Sequence, residues 1–226
     1  MRALVPLLTL GLVGLPAVGA AQAPLPPNKP SGAARMDHDT KVQSAGALPE
    51  GWMARPDEGP ANFKMETMPP GWHLTMGGAA IIYRGQDRAR PPFAVSAELH
   101  LFPGRGDHQE AFGLFIGGQA LDGAGQKYTY FLIRGDGKFK IKRRNGARAE
   151  DVTPWAGSAA IVQAGKDGPV VNVLGIEATA DRVRFLVNGT EVWSGSAKEI
   201  DANGIVGLRM NHNLSVHVES LELRKG

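Results

Sequence analysis

The fold is decided near the C-terminus, by Asn172-Val173-Leu174-Gly175-Ile176-Glu177-Ala178 and Val183-Arg184-Phe185-Leu186-Val187. A turn at Asp181-Arg182 connects these two predicted strands. Asn188-Gly189-Thr190 then reverses the chain into Glu191-Val192-Trp193. Asn-Gly suits a two-residue hairpin turn because both central residues need a positive φ. The stretch therefore predicts consecutive antiparallel strands.

Two more strands are predicted at the end of the chain, at 204–210 and 214–223. Alternate residues from Val206 to Met210 are apolar and share one face, because successive side chains of a strand point to opposite sides. The 183–187 strand presents an apolar face in the same way. Two such faces, stacked about 10 Å apart, form the core of a β-sandwich.

The remainder of the chain shows the same succession of short strands and turns. Thirty glycines and sixteen prolines separate the segments, and none has a sustained helical period. Further strands are predicted at 72–75, 79–83, 93–102, 111–116, 128–134 and 138–142. Strands at such short intervals are typical of an antiparallel sandwich or jelly roll. We therefore predict an all-β fold with one antiparallel β-sandwich domain over 49–226.

The first residues predict export. Residues 1–23 resemble a secretory signal peptide, with Arg2, an apolar run and the cleavage site Ala21-Gln22-Ala23. The run is shorter than the ~20 apolar residues of a membrane-spanning helix. We therefore expect a periplasmic or secreted protein without a membrane span. Residues 24–48 are rich in proline and polar residues, which predicts a disordered linker.

Composition excludes several functions. The 226 residues include no cysteine, so thiol catalysis and thiolate-bound metals are excluded, and an exported domain must be held together by core burial. The net charge of +3 is mild. Lys138, Lys140 and Lys142 alternate with Phe139 and Ile141, which predicts the solvated face of one strand rather than a phosphate groove. No nucleic-acid partner is expected.

Three segments carry a family likeness: Tyr130-Phe131-Leu132-Ile133-Arg134-Gly135-Asp136-Gly137-Lys138-Phe139, Val183-Arg184-Phe185-Leu186-Val187-Asn188-Gly189 and Gly204-Ile205-Val206-Gly207-Leu208-Arg209. In this order they resemble the concanavalin A-like lectin/glucanase superfamily. Within it, the chain resembles bacterial exported proteins grouped with 3-keto-disaccharide hydrolases. The likeness spans about residues 52–223 and implies a jelly-roll sandwich with a carbohydrate ligand, either an oligosaccharide or a modified disaccharide.

Candidate binding residues lie on the strand faces that point away from the predicted core. If Val206 and Met210 point inward, Arg209 and Asn211 point outward. An aromatic ring can cover the C–H patches of a sugar while guanidinium and amide groups fix its hydroxyls. The alternative is a surface ion pair at Arg209 and a polar turn at 211–213. The predicted ligand-binding residues are Tyr128, Tyr130, Arg134, Asn211, Trp72 and His73.

Catalytic candidates follow from the resemblance and from a missing motif. Glycosidases commonly use two carboxylates, and the Glu-x-Asp-x-x-Glu motif of related glucanases is absent. A 3-keto-glycoside offers another route, because the ketone acidifies the C2 proton and allows elimination followed by hydration. His212 or Glu110 is the predicted base, with Arg209 or Arg134 polarising the carbonyl. The alternative for Glu110 is an exposed carboxylate at a strand end. The predicted catalytic residues are His212, Glu110 and Arg209.

No pattern indicates a metal or a cofactor. Asp107-His108-Gln109-Glu110 contains ligand-type side chains, but its spacing matches no specific metal site. The sequence thus predicts an exported carbohydrate-active or carbohydrate-binding sandwich domain that hydrolyses 3-keto-glycosides. The alternative is a non-catalytic glycan-binding or protein-interaction module of the cell envelope.

Overall fold

The computed structural model describes residues 41–42, 47–104 and 109–226. The predicted signal peptide at 1–23 lies outside the described residues, as does most of the predicted linker. Asp107 and His108 of the metal-type loop also lie outside them. The domain boundaries at 23 and 48 therefore stay predictions.

The described chain is built from β-strands, and none of the described residues is helical or part of a membrane-spanning helix. In chain order the strands are β1 (Trp52–Pro56), β2 (Phe63–Thr67), β3 (Trp72–Met76), β4 (Ala80–Ala89), β5 (Phe93–Leu101), β6 (Ala111–Gln119), β7 (Lys127–Arg134), β8 (Lys138–Asn145), β9 (Arg148–Asp151), β10 (Ala156–Gly157), β11 (Val170–Ala178), β12 (Arg182–Val187), β13 (Thr190–Ser196), β14 (Gly204–Met210) and β15 (Leu214–Lys225).

The strands form two antiparallel sheets. The first sheet has the order β1-β4-β14-β6-β7-β8-β10, with β9 paired to β8. The second has the order β13-β12-β11-β5-β15-β3-β2. Strands that are neighbours in space are often distant in sequence, as expected for a jelly roll. The predicted all-β antiparallel sandwich is confirmed.

The main core lies between the two sheets. In β5, alternate residues from Phe93 to Leu101 are buried, and the residues between them are partly exposed. The rings of Phe131 in the first sheet and Phe185 in the second are both fully buried, with centroids 5.4 Å apart. This contact joins the two layers directly, because one ring comes from each inner face.

The first sheet is also covered on its outer face, the side turned away from the second sheet. Alternate residues of its central strands form a second apolar cluster there, which includes Phe115, Tyr128 and Tyr130. The Arg55 side chain donates hydrogen bonds to the carbonyls of Leu121, a member of this cluster, and of Gly123, each at 2.9 Å. The centre of the first sheet is therefore buried on both sides, unlike a simple half-exposed antiparallel sheet.

The predicted Asn188-Gly189 turn is confirmed. Asn188 and Gly189 have φ angles of 50° and 78°, and they connect β12 to β13. The Asn188 amide oxygen accepts a hydrogen bond from the backbone N–H of Val173 at 2.8 Å. Its amide nitrogen donates to the carbonyl of Ala160 and to the side-chain oxygen of Asn172. One asparagine therefore ties the hairpin to β11 and to the segment before it.

Replacement of Phe185 by alanine tests the contact between the sheets. We expect the free energy of unfolding to fall by about 3–5 kcal/mol, because the change removes buried apolar surface and leaves a cavity against Phe131. Urea denaturation measures this loss. Val173→Ala, at a valine that is 38% exposed on the same sheet, is the matched control and should change stability much less. Equal losses in the two variants would contradict the role assigned to Phe185.

Candidate functional site

A cleft of about 270 Å³ opens on the outer face of the first sheet. Its floor includes Tyr130 and Leu132 of β7. The cross-strand register pairs Tyr130 with Lys142 and Leu132 with Lys140, so these side chains share one face. The lining is completed by residues from β14 and from the loops: Asp57, Arg144, Ala149, Trp155, Arg209 and Asn211.

Arg209 and Asp57 form the central ion pair of the cleft. Both terminal nitrogens of Arg209 donate to the carboxylate of Asp57, each at 2.6 Å. The Arg209 side chain is 6% exposed and that of Asp57 is 25% exposed. A bidentate pair of this kind fixes both the position and the orientation of the guanidinium. Arg144 adds a longer contact to the same carboxylate at 3.4 Å.

The ionisation of this pair follows from its partners. Burial alone would raise the pKa of Asp57, but hydrogen bonds and charge from Arg209, with the charges of Arg144 and Arg55, outweigh it and lower the pKa. Burial likewise acts to lower the pKa of Arg209, and Asp57 outweighs that effect and raises it. Both groups are therefore charged at neutral pH.

Tyr130 forms the floor beneath the guanidinium. The Arg209 guanidinium carbon lies 5.5 Å from the ring centroid, which is a cation–π contact. Arg209 reaches this position across β6, where its register partner is Gly113, which has no side chain. Burial raises the pKa of Tyr130 to about 12 despite the lowering effect of Arg209. The phenol is therefore protonated at neutral pH and is not a general base.

Trp155 borders the cleft from the loop between β9 and β10. The guanidinium of Arg134 lies 4.4 Å from its ring centroid and the ammonium of Lys140 lies 5.6 Å away. Arg134 is itself held by two hydrogen bonds to Asp136, at 3.1 and 2.5 Å. The indole is thus fixed by cations, and it is partly exposed whereas Tyr130 is buried.

Asn211 connects the cleft to a second pair of ionisable groups. Its side-chain oxygen lies 3.4 Å from an Arg209 nitrogen, and its amide nitrogen lies 3.4 Å from a carboxylate oxygen of Glu110. The other oxygen of Glu110 lies 2.9 Å from Nε2 of His212. The Glu110 carboxylate therefore orients the imidazole, which is the arrangement of a histidine general base and its supporting acid.

The structure brings most of the predicted site residues together on the first sheet. Tyr130, Arg209 and Asn211 line the cleft, and Glu110 and His212 are joined to them through Asn211. Arg134 contacts the cleft residue Trp155. Tyr128 packs beside Tyr130, with ring centroids 5.4 Å apart.

Two predicted ligand-binding residues lie on the other sheet, because Trp72 and His73 belong to β3 of the second sheet. The Trp72 ring packs edge-on against Trp52, with centroids 5.0 Å apart. His73 is hydrogen-bonded to the hydroxyl of Ser215 at 3.1 Å. Neither residue lines the cleft on the first sheet.

Several cleft residues were not predicted as site residues from the sequence. Lys140 and Lys142 were assigned to a solvated strand face, yet their side chains are only 14% and 27% exposed and lie in the cleft. The sequence feature that indicates their position is the Gly135-Asp136-Gly137 turn. It sets the register between β7 and β8, which places Lys140 and Lys142 beside β7. No sequence pattern around Asp57 or Trp155 predicts a place in the cleft, because both residues lie in loops.

The cleft is basic. Four cations line it, Lys140, Lys142, Arg144 and Arg209, together with the carboxylate of Asp57. Asp151 neutralises part of the charge through Lys140 at 2.6 Å and Lys142 at 3.5 Å. This surplus of positive charge opposes binding of a metal cation and favours ligand oxygens that carry negative charge.

Comparison with known proteins extends the fold assignment. No family model matches the sequence, and no curated protein matches it. The carbohydrate-binding module CBM66 from Bacillus subtilis has a TM-score of 0.57 and 12% identity, covering 77% of this chain and 95% of that one. A GH16 protein of the Bacteroides ovatus mixed-linkage glucan locus, in complex with a product, has a TM-score of 0.54 and 9% identity, covering 83% and 98%.

The Emp46p carbohydrate recognition domain is similar to the same degree, with a TM-score of 0.54 and 11% identity over 77% of this chain and 88% of that one. At these identities the similarity shows the fold alone. The chain has the concanavalin A-like sandwich fold of these proteins, as the sequence resemblance implied.

Replacement of Asp57 by asparagine tests the central ion pair. We expect a loss of about 3 kcal/mol in unfolding free energy at pH 7, because Arg209 is left buried without its counter-ion. Folding lowers the pKa of Asp57, so the pair stabilises the fold above the unfolded pKa of about 3.9 and loses its contribution as pH falls through the folded pKa. The variant should therefore lose less stability than wild type on acidification. Urea denaturation across pH measures both effects.

Glu58→Gln is the control, because Glu58 is the exposed neighbour of Asp57. An Asp57→Asn variant with wild-type stability and wild-type pH dependence would show that the pair does not support the fold.

Proposed function

We propose that the protein binds carbohydrate in the cleft on the outer face of the first sheet. The observation that carries this proposal is the partly exposed Trp155 beside a row of fixed hydrogen-bonding groups, which includes Lys142 and Asn211. An indole covers the C–H face of a sugar ring, and cations and amides bind its hydroxyls. The ion pair of Asp57 with the buried Arg209 holds Arg209 in place beside Asn211 before any ligand binds.

The solved structures that share the fold support a saccharide ligand. They are a carbohydrate-binding module, a GH16 protein bound to a product and a carbohydrate recognition domain. The ligand we propose is an oligosaccharide or a modified disaccharide. The basic lining favours a sugar with an electron-rich oxygen, such as the carbonyl oxygen of a 3-keto-glycoside.

We further propose that the bound 3-keto-glycoside is hydrolysed by elimination and hydration. A base takes the C2 proton, and the electrons of that C–H bond move to the C3 oxygen as an enolate. The enolate then re-forms the C3 ketone with a C1–C2 double bond and expels the C1 oxygen, which takes the proton from the base and leaves as the alcohol. Water adds across the resulting double bond. The base is His212, and Glu110 orients it through a carboxylate oxygen that lies 2.9 Å from Nε2 of His212. The cations of the cleft, Arg209 among them, stabilise the enolate oxygen.

Paired-carboxylate chemistry is not proposed for this site. The cleft carboxylate, Asp57, is bound to Arg209, and the nearby Asp151 is bound to Lys140. Neither is free to protonate a glycosidic oxygen or to attack a sugar carbon, which are the two roles that a glycosidase needs. The second candidate function is a glycan-binding module of the cell envelope without catalysis, and the engaged carboxylates are compatible with it.

Export is part of the proposal. The pattern at 1–23 supports a protein that is processed and released to the periplasm or the exterior. N-terminal sequencing of protein from the periplasmic and culture fractions tests this step, and a retained Met1 in both fractions would contradict it.

Trp155→Ala tests carbohydrate binding. We expect affinity for the bound saccharide to fall about tenfold or more, because the variant loses the exposed ring of the cleft. Calorimetry with a panel of oligosaccharides and 3-keto-disaccharides measures the change. Trp155→Phe is the matched control and should retain most of the affinity. Binding that is unchanged in Trp155→Ala would exclude this cleft as the site.

His212→Gln and Glu110→Gln test catalysis. We expect the wild-type protein to release monosaccharide from a 3-keto-disaccharide but not from its parent disaccharide. The His212 variant should lose about 10²–10⁴-fold in kcat, since general base catalysis contributes that much. Chromatography of the products measures turnover, and Glu222→Gln, an exposed carboxylate of β15, is the control. Saccharide binding without turnover in wild type would identify the non-catalytic module.

A further inference from the structure

A row of histidines crosses the outer face of the second sheet. His217 of β15 pairs in register with His73 of β3 on one side and with His100 of β5 on the other. The rings of His100 and His217 meet edge to face, with centroids 5.3 Å apart. His73 and His217 are stacked at 6.4 Å. The carbohydrate proposal uses none of these three side chains.

Two carboxylates flank His100 in this row. Its Nε2 atom lies 3.2 Å from an oxygen of Glu98, which precedes it by two residues on β5. The same atom lies 2.9 Å from an oxygen of Glu219 on β15. One nitrogen and two oxygens from adjacent strands therefore converge, and all three donor atoms lie within 4.8 Å of one another.

A β-bulge contributes to this convergence. The register between β15 and β5 shifts between Val218 and Ser220, so Glu219 is an extra residue on its strand. A bulge changes the direction of the side chains next to it, and bulges are frequent at functional sites. β15 and β5 pair residue by residue on either side of the bulge. At the bulge itself, Glu219 of β15 approaches His100 of β5.

We infer that Glu98, His100 and Glu219 bind a divalent transition-metal ion, for which Zn²⁺ is the probe. Tetrahedral ligands with bonds of about 2.0–2.2 Å to zinc have donor atoms about 3.3 Å apart. The observed separations of 3.2 and 2.9 Å around Nε2 are close to that spacing.

The donor set selects the class of ion. One imidazole nitrogen with two carboxylate oxygens suits zinc and its neighbours, whereas calcium and magnesium prefer oxygen ligands alone. The side chains of His100, Glu98 and Glu219 are 21%, 35% and 37% exposed, so an ion can enter from solvent without opening the sheet.

His217 provides a second imidazole beside the three ligands. It is 8% exposed, and its Nδ1 atom is buried without a hydrogen-bond partner among the described residues. A buried polar atom in that condition is uncommon, because it forfeits a hydrogen bond that water would supply. The His217 ring packs edge to face against His100, so it borders the three donor groups without being one of them.

Calorimetric titration of the full chain with ZnCl₂, purified without a histidine tag, tests the inference. We expect one Zn²⁺ per chain with a micromolar dissociation constant. His100→Gln and Glu219→Gln should each weaken binding at least tenfold, since each removes a ligand. Zn²⁺ should also raise the Tm of wild type and not that of His100→Gln, because a ligand of the folded state stabilises it.

Two matched variants complete the test. Glu222→Gln removes an exposed carboxylate from the same strand, and His212→Gln removes a histidine of the first sheet; both should bind Zn²⁺ as wild type does. Unchanged affinity in His100→Gln and Glu219→Gln would overturn the inference by placing the ion elsewhere. Absence of Zn²⁺ binding in wild type would overturn it as well and leave an ion triad with no metal.

Discussion

The candidate site depends on the ion pair between Asp57 and Arg209. These residues are 152 positions apart, and their two hydrogen bonds hold the loop after β1 against the outer face of the first sheet. The pair fixes Arg209 over Tyr130 and leaves Asn211 between Arg209 and Glu110. A guanidinium buried without a carboxylate is strongly unfavourable, so the loop, β14 and the floor of the cleft are coupled.

The architecture was predictable because strands that bury one face show it in their sequence. Alternation in β5 and the Asn188-Gly189 turn indicated strands and a hairpin from local chemistry alone, and both agree with the structure. The burial of β6 and β7 on both faces is harder to predict from the sequence. Phe115 and Tyr130 share their apolar cluster with Leu121, which comes from a loop. Arg55 binds the carbonyls of Leu121 and Gly123 across more than sixty residues of sequence.

The candidate site was predictable where its residues alternate on strands, as Tyr130 and Arg209 do. Lys142 also alternates, but its place in the cleft depends on which strand lies beside β8 and on the loop that carries Trp155 over it. Trp72 and His73 are predicted as ligand-binding residues because an aromatic side chain and a histidine are adjacent in the sequence. No local pattern specifies which of two stacked sheets a strand joins, and they belong to the second sheet.

The Asn188-Gly189 turn has a consequence for the chemical ageing of the protein. Asn-Gly is the dipeptide most prone to deamidation, because glycine lets its backbone nitrogen attack the asparagine side chain. Here the amide is held by Val173, Ala160 and Asn172, which restrains that attack. Once deamidation occurs, a carboxylate oxygen faces the carbonyl of Ala160 and the side-chain oxygen of Asn172. Two donated hydrogen bonds then become repulsions, so the turn loses its contacts with Ala160 and Asn172, while the backbone pairing of β12 with β11 holds the hairpin in place.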